Sequence, residues 1–518
     1  MSLVFRVVGN IRLSDKQDKN TIYLHKDNWD DFGYSTLFSM VVFDEFGNQT
    51  EIGNVKIGYR GEPTGGYTYS KLPDEFSHLE EGFFSLGQGV EYYKSIVDNL
   101  SEEFAKKLLI AICDVVLNPN CLTTAEKEDV FHTSLLRNVS ISSIHKQFKR
   151  VLDGDAILTE YHFAYEKDED DKYSGIELDF HVEPDSKPHS NIHTIIGRNG
   201  IGKTTLLNNM ISSIIDNKKG AAEVGAFYDL LKLDEPRIDR DYFSSVISVA
   251  FSAFDPFTPP KDQPHRAKGT CFYYIGLKLN NDNEEPSMLK HITDLHDEFV
   301  SSLAVCFSIR SKKQRWVSAI RTLESDTNFA EIDLCRLAEL KREGEVKKSA
   351  KKLVSLMSSG HTIVLLTITK LIETVEEKTL VLIDEPESHL HPPLLSAFTR
   401  ALSNLLINRN AVAIVATHSP VVLQEVPKSC VWKLERSKLE GKSYRLESET
   451  FGENSGVLTR EVFGLEVDKS GFHDLLKKSV SAGHSYEAIL KEYKGQIGFE
   501  GKAILRALIS SASNNNGN

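Results

Sequence analysis

Ile192-His193-Thr194-Ile195-Ile196-Gly197-Arg198-Asn199-Gly200-Ile201-Gly202-Lys203-Thr204-Thr205-Leu206-Leu207 is the stretch that decides the fold. An apolar run of strand type leads into the pattern G-x-x-x-x-G-K-[ST], carried by Gly197, Gly202, Lys203 and Thr204. Apolar residues then recur at Leu207, Met210, Ile211 and Ile214, the stripe a helix lays on a sheet. Strand, loop and helix in that order predict a phosphate-binding loop for ATP or GTP. Backbone N–H groups must curl closely round two phosphates, and glycine at 197, 200 and 202 permits that approach. The helix opening at Lys203 adds its N-terminal dipole, Lys203 places a charge between the β- and γ-phosphates, and Thr204 offers a hydroxyl to Mg²⁺. The expected nucleotide-binding set is Gly197, Arg198, Asn199, Gly200, Ile201, Gly202, Lys203, Thr204 and Thr205.

Further along, Leu380 to Ile383 is a short apolar run ending in Asp384-Glu385, and Ala411 to Ala416 is another ending in Thr417-His418-Ser419-Pro420. Both read as buried parallel strands whose polar residues lie at their carboxyl ends, where ligands bind in open α/β sheets. Asp384 is expected to hold the Mg²⁺ shell together with Thr204, Glu385 to deprotonate the attacking water, and His418 to reach the γ-phosphate. Lys203, Glu385 and His418 form the catalytic set. Met357-Ser358-Ser359-Gly360-His361 opens an apolar helix from Ile363 to Leu371, a second anion-binding helix start. Because Lys203 already occupies the near side of the phosphates, that second start makes sense if it closes on nucleotide held by another copy of the protein.

Outward from these motifs, residues 1–152 read as a mixed α/β region. Its expected strands are Thr21 to Leu24, Tyr34 to Phe43 and Thr50 to Tyr59, with a hairpin turn at Asp44 to Gln49. Phe83 to Gly89 reads as a turn, Asp27 to Gly33 as an acidic aromatic loop, and helices are expected at Glu102 to Val116 and roughly Ser143 to Leu152. Residues 153–284 form the first part of an ATPase head. They begin with strands at 156–165 and 175–183 joined by the charged tip Glu166 to Lys172, and Val246 to Phe251 adds another strand.

Residues 285–356 turn charged and helical, an inserted arm or lid with basic clusters at Arg310 to Trp316 and Lys347 to Lys352. A helix keeping its lysines in water accounts for these clusters better than a nucleic-acid contact, because acidic residues are interspersed. Residues 357–436 complete the head. Residues 437–509 hold a C-terminal hairpin, turning at Gly441-Lys442, and helices; 510–518 read as disordered.

The net charge of −13 argues against a chain that coats nucleic acid by bulk charge. The cysteines, 6 in number, form no C-x-x-C pair, so neither a disulfide framework nor a zinc site is suggested. No run approaches the roughly 18 apolar residues of a membrane span, so no membrane association and a cytoplasmic location are expected.

The order G-R-N-G-I-G-K-T, M-S-S-G-H, L-V-L-I-D-E-P-E-S-H-L-H-P and T-H-S-P resembles the ABC-type ATPase heads of the structural-maintenance, RecF and OLD group over roughly residues 155 to 435. The resemblance implies an α/β fold with a mixed sheet and a head-to-tail homodimer, or a higher homo-oligomer, sandwiching ATP and Mg²⁺. Ser358, Ser359, Gly360 and His361 would then act in trans, with Ser359 and Gly360 facing the γ-phosphate, and Ser388 to His391 would form the D-loop across the interface. This chain departs from the group where Met357 and His361 replace the ends of L-S-x-G-Q or L-S-x-G-E. It departs again where Ser252 or Asp255 stands in the region of the Q-loop glutamine, and its arm is too short for a long coiled coil.

S-S-G-H-T-I-V-L-L-T-I-T-K and F-G-E-N-S-G-V-L-T-R-E-V-F-G-L-E-V, together with the long region before the phosphate loop, resemble the PtuA family, ATPases of Septu antiphage defence and of some retrons. That family works with a separate HNH nuclease, PtuB, and in some systems with a reverse transcriptase and its RNA–DNA hybrid. The implied role is a regulatory or scaffold ATPase whose nucleotide state controls the nuclease. OLD enzymes carry a nuclease domain after the head, whereas Glu466-Val467-Asp468 is the one faint carboxylate pair after Cys430 here, and a surface loop accounts for it better. The alternatives are a RecF- or SMC-like DNA repair ATPase loading through the basic arm, and a nucleotide-binding switch with little turnover.

Overall fold

The computed structural model describes residues 3–9, 18–28, 30–137, 139, 141, 144–156, 158–169, 175–215, 220–234, 236–239, 242–252, 257–264, 269–279, 289–437, 440–464 and 471–515. Two compact units emerge. One comprises Met1–Thr159 with Asn408–Asn410, and the other comprises Glu160–Ile407 with Ala411–Asn518.

In the first unit, strands Glu75–Phe76, Val4–Val8, Thr21–Lys26, Leu37–Phe43, Gln49–Tyr59 and Phe83–Gly87 lie side by side in that order. Val4–Val8 and Thr21–Lys26 run parallel and the remaining neighbours antiparallel. Phe83–Gly87, expected as a turn, is therefore the edge strand paired with Gln49–Tyr59. The glycines near its end disguise it: at Gly87 a Cβ would meet the Tyr92 ring at 2.2 Å, so the glycine serves close packing within a strand. The expected helix from Glu102 stops at Ala111, because Cys113 takes a left-handed φ of 54° and Asp114 caps the next turn through the N–H groups of Val116 and Leu117. The helix expected near Ser143 to Leu152 is a wide π turn, Ile144–Phe148, followed by Lys149–Leu152. In the acidic loop, Asp31 is fully buried and pairs with Lys56 Nζ at 2.6 Å and with Arg137.

The second unit is built on seven strands in the order Cys271–Gly276, Ser245–Ala250, Thr379–Asp384, Val412–Thr417, Ile192–Ile196, Val431–Ser437 and Glu440–Arg445. All neighbours are parallel except the last pair. Every residue of Ile192–Ile196 and of Val412–Thr417 is buried, as a parallel sheet covered on both faces requires. One face carries the phosphate-loop helix Lys203–Ile215 and a three-stranded antiparallel sheet, Ile176–Val182, Tyr161–Lys167 and Ala226–Asp229, sharing Phe163, Tyr165, Phe180, Leu206 and Met210. The strand expected at 156–165 thus begins later, at Tyr161. The charged link to its partner falls partly on 170–172, outside the described residues, as do Asp255, the Glu466 to Asp468 pair and the last three residues. The final helix Phe499–Asn515 runs through most of the tail expected to be disordered. Gly441-Lys442 lies within the strand Glu440–Arg445 rather than at the hairpin turn.

The opposite face corrects the reading of residues 285–356 as an arm or lid. Helices Ile292–Ser308, Arg310–Leu323, Thr327–Ile332 and Glu343–Val354 pack Phe299, Leu303, Trp316, Ile320, Phe329 and Leu353 into one core with the helix Ser359–Thr374 and the sheet. Part of the first basic cluster is taken up by this packing: Trp316 is fully buried and donates to Thr369 Oγ1 at 2.9 Å. Lys312 Nζ donates to Glu373 O at 2.6 Å and pairs with Glu376 at 2.9 Å. Lys347 and Lys351 pair with Glu343 and Asp297 at the surface. No helix among the described residues is long and apolar enough to cross a membrane.

Replacing Trp316 by alanine removes a large buried ring and the hydrogen bond it donates to Thr369 Oγ1, whose own bond to Leu365 O remains. The expected loss is about 3–5 kcal/mol in the second unit, read as a lower urea midpoint for that unit's transition. A shift within roughly 0.5 kcal/mol of wild type would mean the helical insertion is not core.

Candidate nucleotide site

The phosphate loop has the backbone its sequence demands. Gly200 and Gly202 adopt φ of 78° and 102°, and a Cβ at either would meet nothing within 4 Å, so left-handed backbone rather than crowding selects glycine there. At Gly197 the reason is different, since a Cβ would lie 2.8 Å from Leu434 O. The Lys203 ammonium is buried and donates to Gly197 O at 2.9 Å and Arg198 O at 3.1 Å, folding the loop over its own lysine. The sheet sets the rest: Asp384, Glu385 and His418 follow neighbouring parallel strands and arrive at one edge with the loop.

Thr204 Oγ1 donates to Asp384 Oδ2 at 2.6 Å, which brings together the two oxygens expected to hold Mg²⁺. A hydroxyl and a carboxylate beside a glycine-lined loop are the hard-oxygen donors that this ion takes, so the residues present fit ATP with Mg²⁺. Glu385 takes a left-handed backbone, φ 45° and ψ 61°, immediately before Pro386, and its N–H donates to Ala416 O at 2.9 Å. A β-carbon in that region costs roughly 1–2 kcal/mol, a strain of the kind that accumulates at working sites. Its carboxylate lies 3.7 Å from Lys203 Nζ and 3.7 Å from His418 Nδ1. Lys203, Thr204, Asp384, Glu385 and His418 therefore converge.

Sequence reasoning missed Glu387. Its Oε1 accepts from His418 N at 2.6 Å and Thr417 Oγ1 at 2.7 Å and lies 3.0 Å from His418 Nδ1, so it fixes the loop that carries His418. The spacing E-P-E places both carboxylates on one tight turn, and that was the available signal. A cavity of about 90 Å³ beside the loop, lined in part by Ile176, Ile201, Thr205, Leu206, Asn209 and Leu434, also had none. Its walls come from three separated segments.

Ser358, Ser359, Gly360 and His361 lie at the start of the helix Ser359–Thr374. Ser358, not Ser359, is the capping residue, with Oγ 2.6 Å from His361 Nδ1. His361 Nε2 lies 3.2 Å from Asp326 Oδ1, and His391 Nε2 lies 2.9 Å from Asp326 Oδ2. A Cβ on Gly360 would lie 2.5 Å from His389 O, so the helix start and the segment Ser388 to His391 are in backbone contact. His389 Nε2 in turn lies 3.1 Å from Phe251 O, at the end of the strand Ser245–Ala250 and next to Ser252. Burial pushes the Asp326 carboxyl up, but the N–H of Phe329, the hydrogen bond from His361 and the charge of both histidines outweigh it and leave it below its usual value.

Residues 276–424 match the family model described as "AAA domain, putative AbiEii toxin, Type IV TA system", a stretch that holds Ser358 to His361, Asp384, Glu385 and His418 but begins after the phosphate loop. Protein ea59 of Escherichia phage lambda is 49% identical over 508 residues, covering 95% of this chain and 95% of that protein. Among solved structures, a putative metal-chelate type ABC transporter aligns at 13% identity over 58% of this chain and 89% of its own, with a TM-score of 0.30. UvrA2 from Deinococcus radiodurans aligns at 13% identity over 61% of this chain and 42% of its own, also with a TM-score of 0.30.

Replacing Glu387 by glutamine removes the anion that gathers Thr417 and His418. Turnover is expected to fall about tenfold or more while ATP affinity stays within about threefold, measured by phosphate release and by titration with a fluorescent ATP analogue. Unchanged turnover would assign Glu387 to stability alone.

Proposed function

The chain belongs to the family of protein ea59 of Escherichia phage lambda and matches an AAA-domain family model over residues 276–424; on that premise we propose that it is an ATP-binding, ATP-hydrolysing regulatory subunit with an ABC-type head that pairs head to tail and controls a separate nuclease. The observation that carries the ATPase part is the convergence of Lys203, Thr204, Asp384, Glu385 and His418 at one sheet edge. Lys203 would meet the β- and γ-phosphates once released from the Gly197 and Arg198 carbonyls. Thr204 and Asp384 would hold Mg²⁺, which neutralises phosphate charge when bound. Glu385 would take the proton of the attacking water, kept at its station by its strained backbone and the Ala416 bond, while His418 would orient toward the γ-phosphate side under the control of Glu387. The cavity against Thr205 and Asn209 would receive the nucleoside.

Pairing is supported by the capped helix start at Ser358 to His361, a second anion-binding helix N-terminus besides the one at Lys203. The nuclease partner is supported by the likeness to PtuA in sequence, and that partner is an HNH enzyme of the PtuB kind, joined in some systems by a reverse transcriptase with its RNA–DNA hybrid. The DNA-repair alternative is less well supported, because Lys312 and Trp316 of the first basic cluster are spent inside the helical insertion.

Lys203→Ala is expected to weaken ATP binding about 100-fold or more and to abolish turnover; unaltered affinity would remove the nucleotide assignment. Glu385→Gln should slow phosphate release at least about 100-fold while retaining ATP and accumulating a dimer visible by light scattering. A glutamine variant that turns over like wild type would show that Glu385 is not the base. Co-expression with an adjacent HNH reading frame should give a complex that purifies together, and two proteins that elute separately with and without ATP would remove the nuclease from the reading.

A further inference from the structure

The chain of contacts at the second helix start contains more information than a cap. Asp326, 35 positions before His361 and itself buried, caps the helix Thr327–Ile332 by accepting from Asn328 N at 3.0 Å and Phe329 N at 3.2 Å. Its two oxygens also meet His361 Nε2 and His391 Nε2. An ionised carboxylate only accepts, so Nε2 of His361 must carry a proton. In neutral His361 the other nitrogen, Nδ1, then has a lone pair and no proton, and the Ser358 hydroxyl at 2.6 Å must donate to it.

With its proton committed to Nδ1, Ser358 offers only lone pairs outward, the wrong polarity for a phosphate. When His361 gains a second proton, Nδ1–H becomes the donor to Ser358 Oγ, and the hydroxyl proton is free to point away from the helix. We propose that His361 is a positioning residue that switches Ser358 from acceptor to donor toward the γ-phosphate of a paired subunit, with Asp326 holding His361 in the tautomer that makes the switch work. This rests on the head-to-tail reading above. It differs from a simple cap because Ser358 caps His361 N weakly, at 3.5 Å, while its contact to the ring is the short one.

The groups facing His361 are Asp326 and the Phe329 ring from the insertion, at a ring separation of 5.3 Å for the latter, His391 at 6.2 Å between rings, and Ser358 of its own helix. His389 presents its backbone carbonyl to Gly360. Asp326 is the carboxylate that meets the ring, and His391 shares it through its other oxygen. Acidification through the histidine range therefore strengthens ATP-dependent pairing, and alkaline conditions weaken it.

The test uses the full chain in the Glu385→Gln background, so that pairing is read without turnover, with ATP-dependent association followed by sedimentation across the histidine range. The association constant is expected to rise roughly tenfold from about pH 8 to about pH 6. His361→Gln supplies an amide N–H₂ that donates to Ser358 at every pH, so it should pair as tightly at the alkaline end as the parent does at the acidic end. Asp326→Asn keeps a good cap but removes the anion, and should move the acid limb to lower pH. His418 is present in all three proteins and cancels in their ratio. A ratio of His361→Gln to parent that stays constant with pH overturns the proposal, as does a folded, ATP-binding His361→Gln protein that pairs at no pH. Pairing that persists in Lys203→Ala, or is missing from the parent at every pH, overturns the composite-site reading instead.

Discussion

The bond from Thr204 Oγ1 to Asp384 Oδ2 ties the beginning of the phosphate-loop helix to the end of a strand two places away in the sheet. It can form only because the intervening strand, Val412–Thr417, runs parallel to both neighbours and all three stop at the same level. The register Ile196 to Thr417 and Asp384 to Ala416 delivers the loop, the carboxylates and His418 to one rim. Uninterrupted burial of those strands holds the rim in place, and the hydrophobic faces above and below, each with its own layer, make that burial obligatory. The working groups are few and polar; what sets their spacing is the apolar sheet beneath them.

Much of this was legible because the informative residues are close in sequence. Gly197 to Thr204 and Asp384-Glu385 are local patterns tied to local backbone, and the strand-then-polar-residue rule located His418 without knowledge of the sheet order. What could not be read were the contacts that link distant segments. Glu387 is two residues from Glu385, yet its purpose depends on Thr417 and His418, whose approach only the sheet defines. Asp326 sits in a charged helical stretch where one carboxylate resembles any other, and its partners arrive from two other elements. The insertion misled for a related reason. Its polar composition describes the outer sides of its helices, whereas Phe299, Leu303, Trp316 and Ile320, spaced for a buried face, decide where it packs.

The first unit shows the same asymmetry. Its strands announced themselves by apolar content, but Phe83–Gly87 was concealed by a glycine that lets Tyr92 lie against the backbone. The buried Lys56–Asp31 pair lies in the stretch that the sequence reads only as an acidic aromatic loop. Desolvating both charges costs several kcal/mol before their attraction is counted, so the pair fixes which way the loop enters the fold more than it adds stability.

The packing of the helical insertion against the start of the Ser359–Thr374 helix turns it into a lever. Asp326 belongs to the insertion, and the two histidines it grips belong to the helix start and to the segment after Glu385. If the heads pair over ATP as proposed, a protein that docked on the insertion and displaced Asp326 would change how well they do so, with no contact to nucleotide. Thermodynamic linkage makes the traffic two-way: whatever factor that protein imposes on ATP-dependent pairing, pairing imposes on the protein's own affinity. On the proposed pairing, the insertion would be a place where the presence of a partner and the state of a nucleotide are converted into one another.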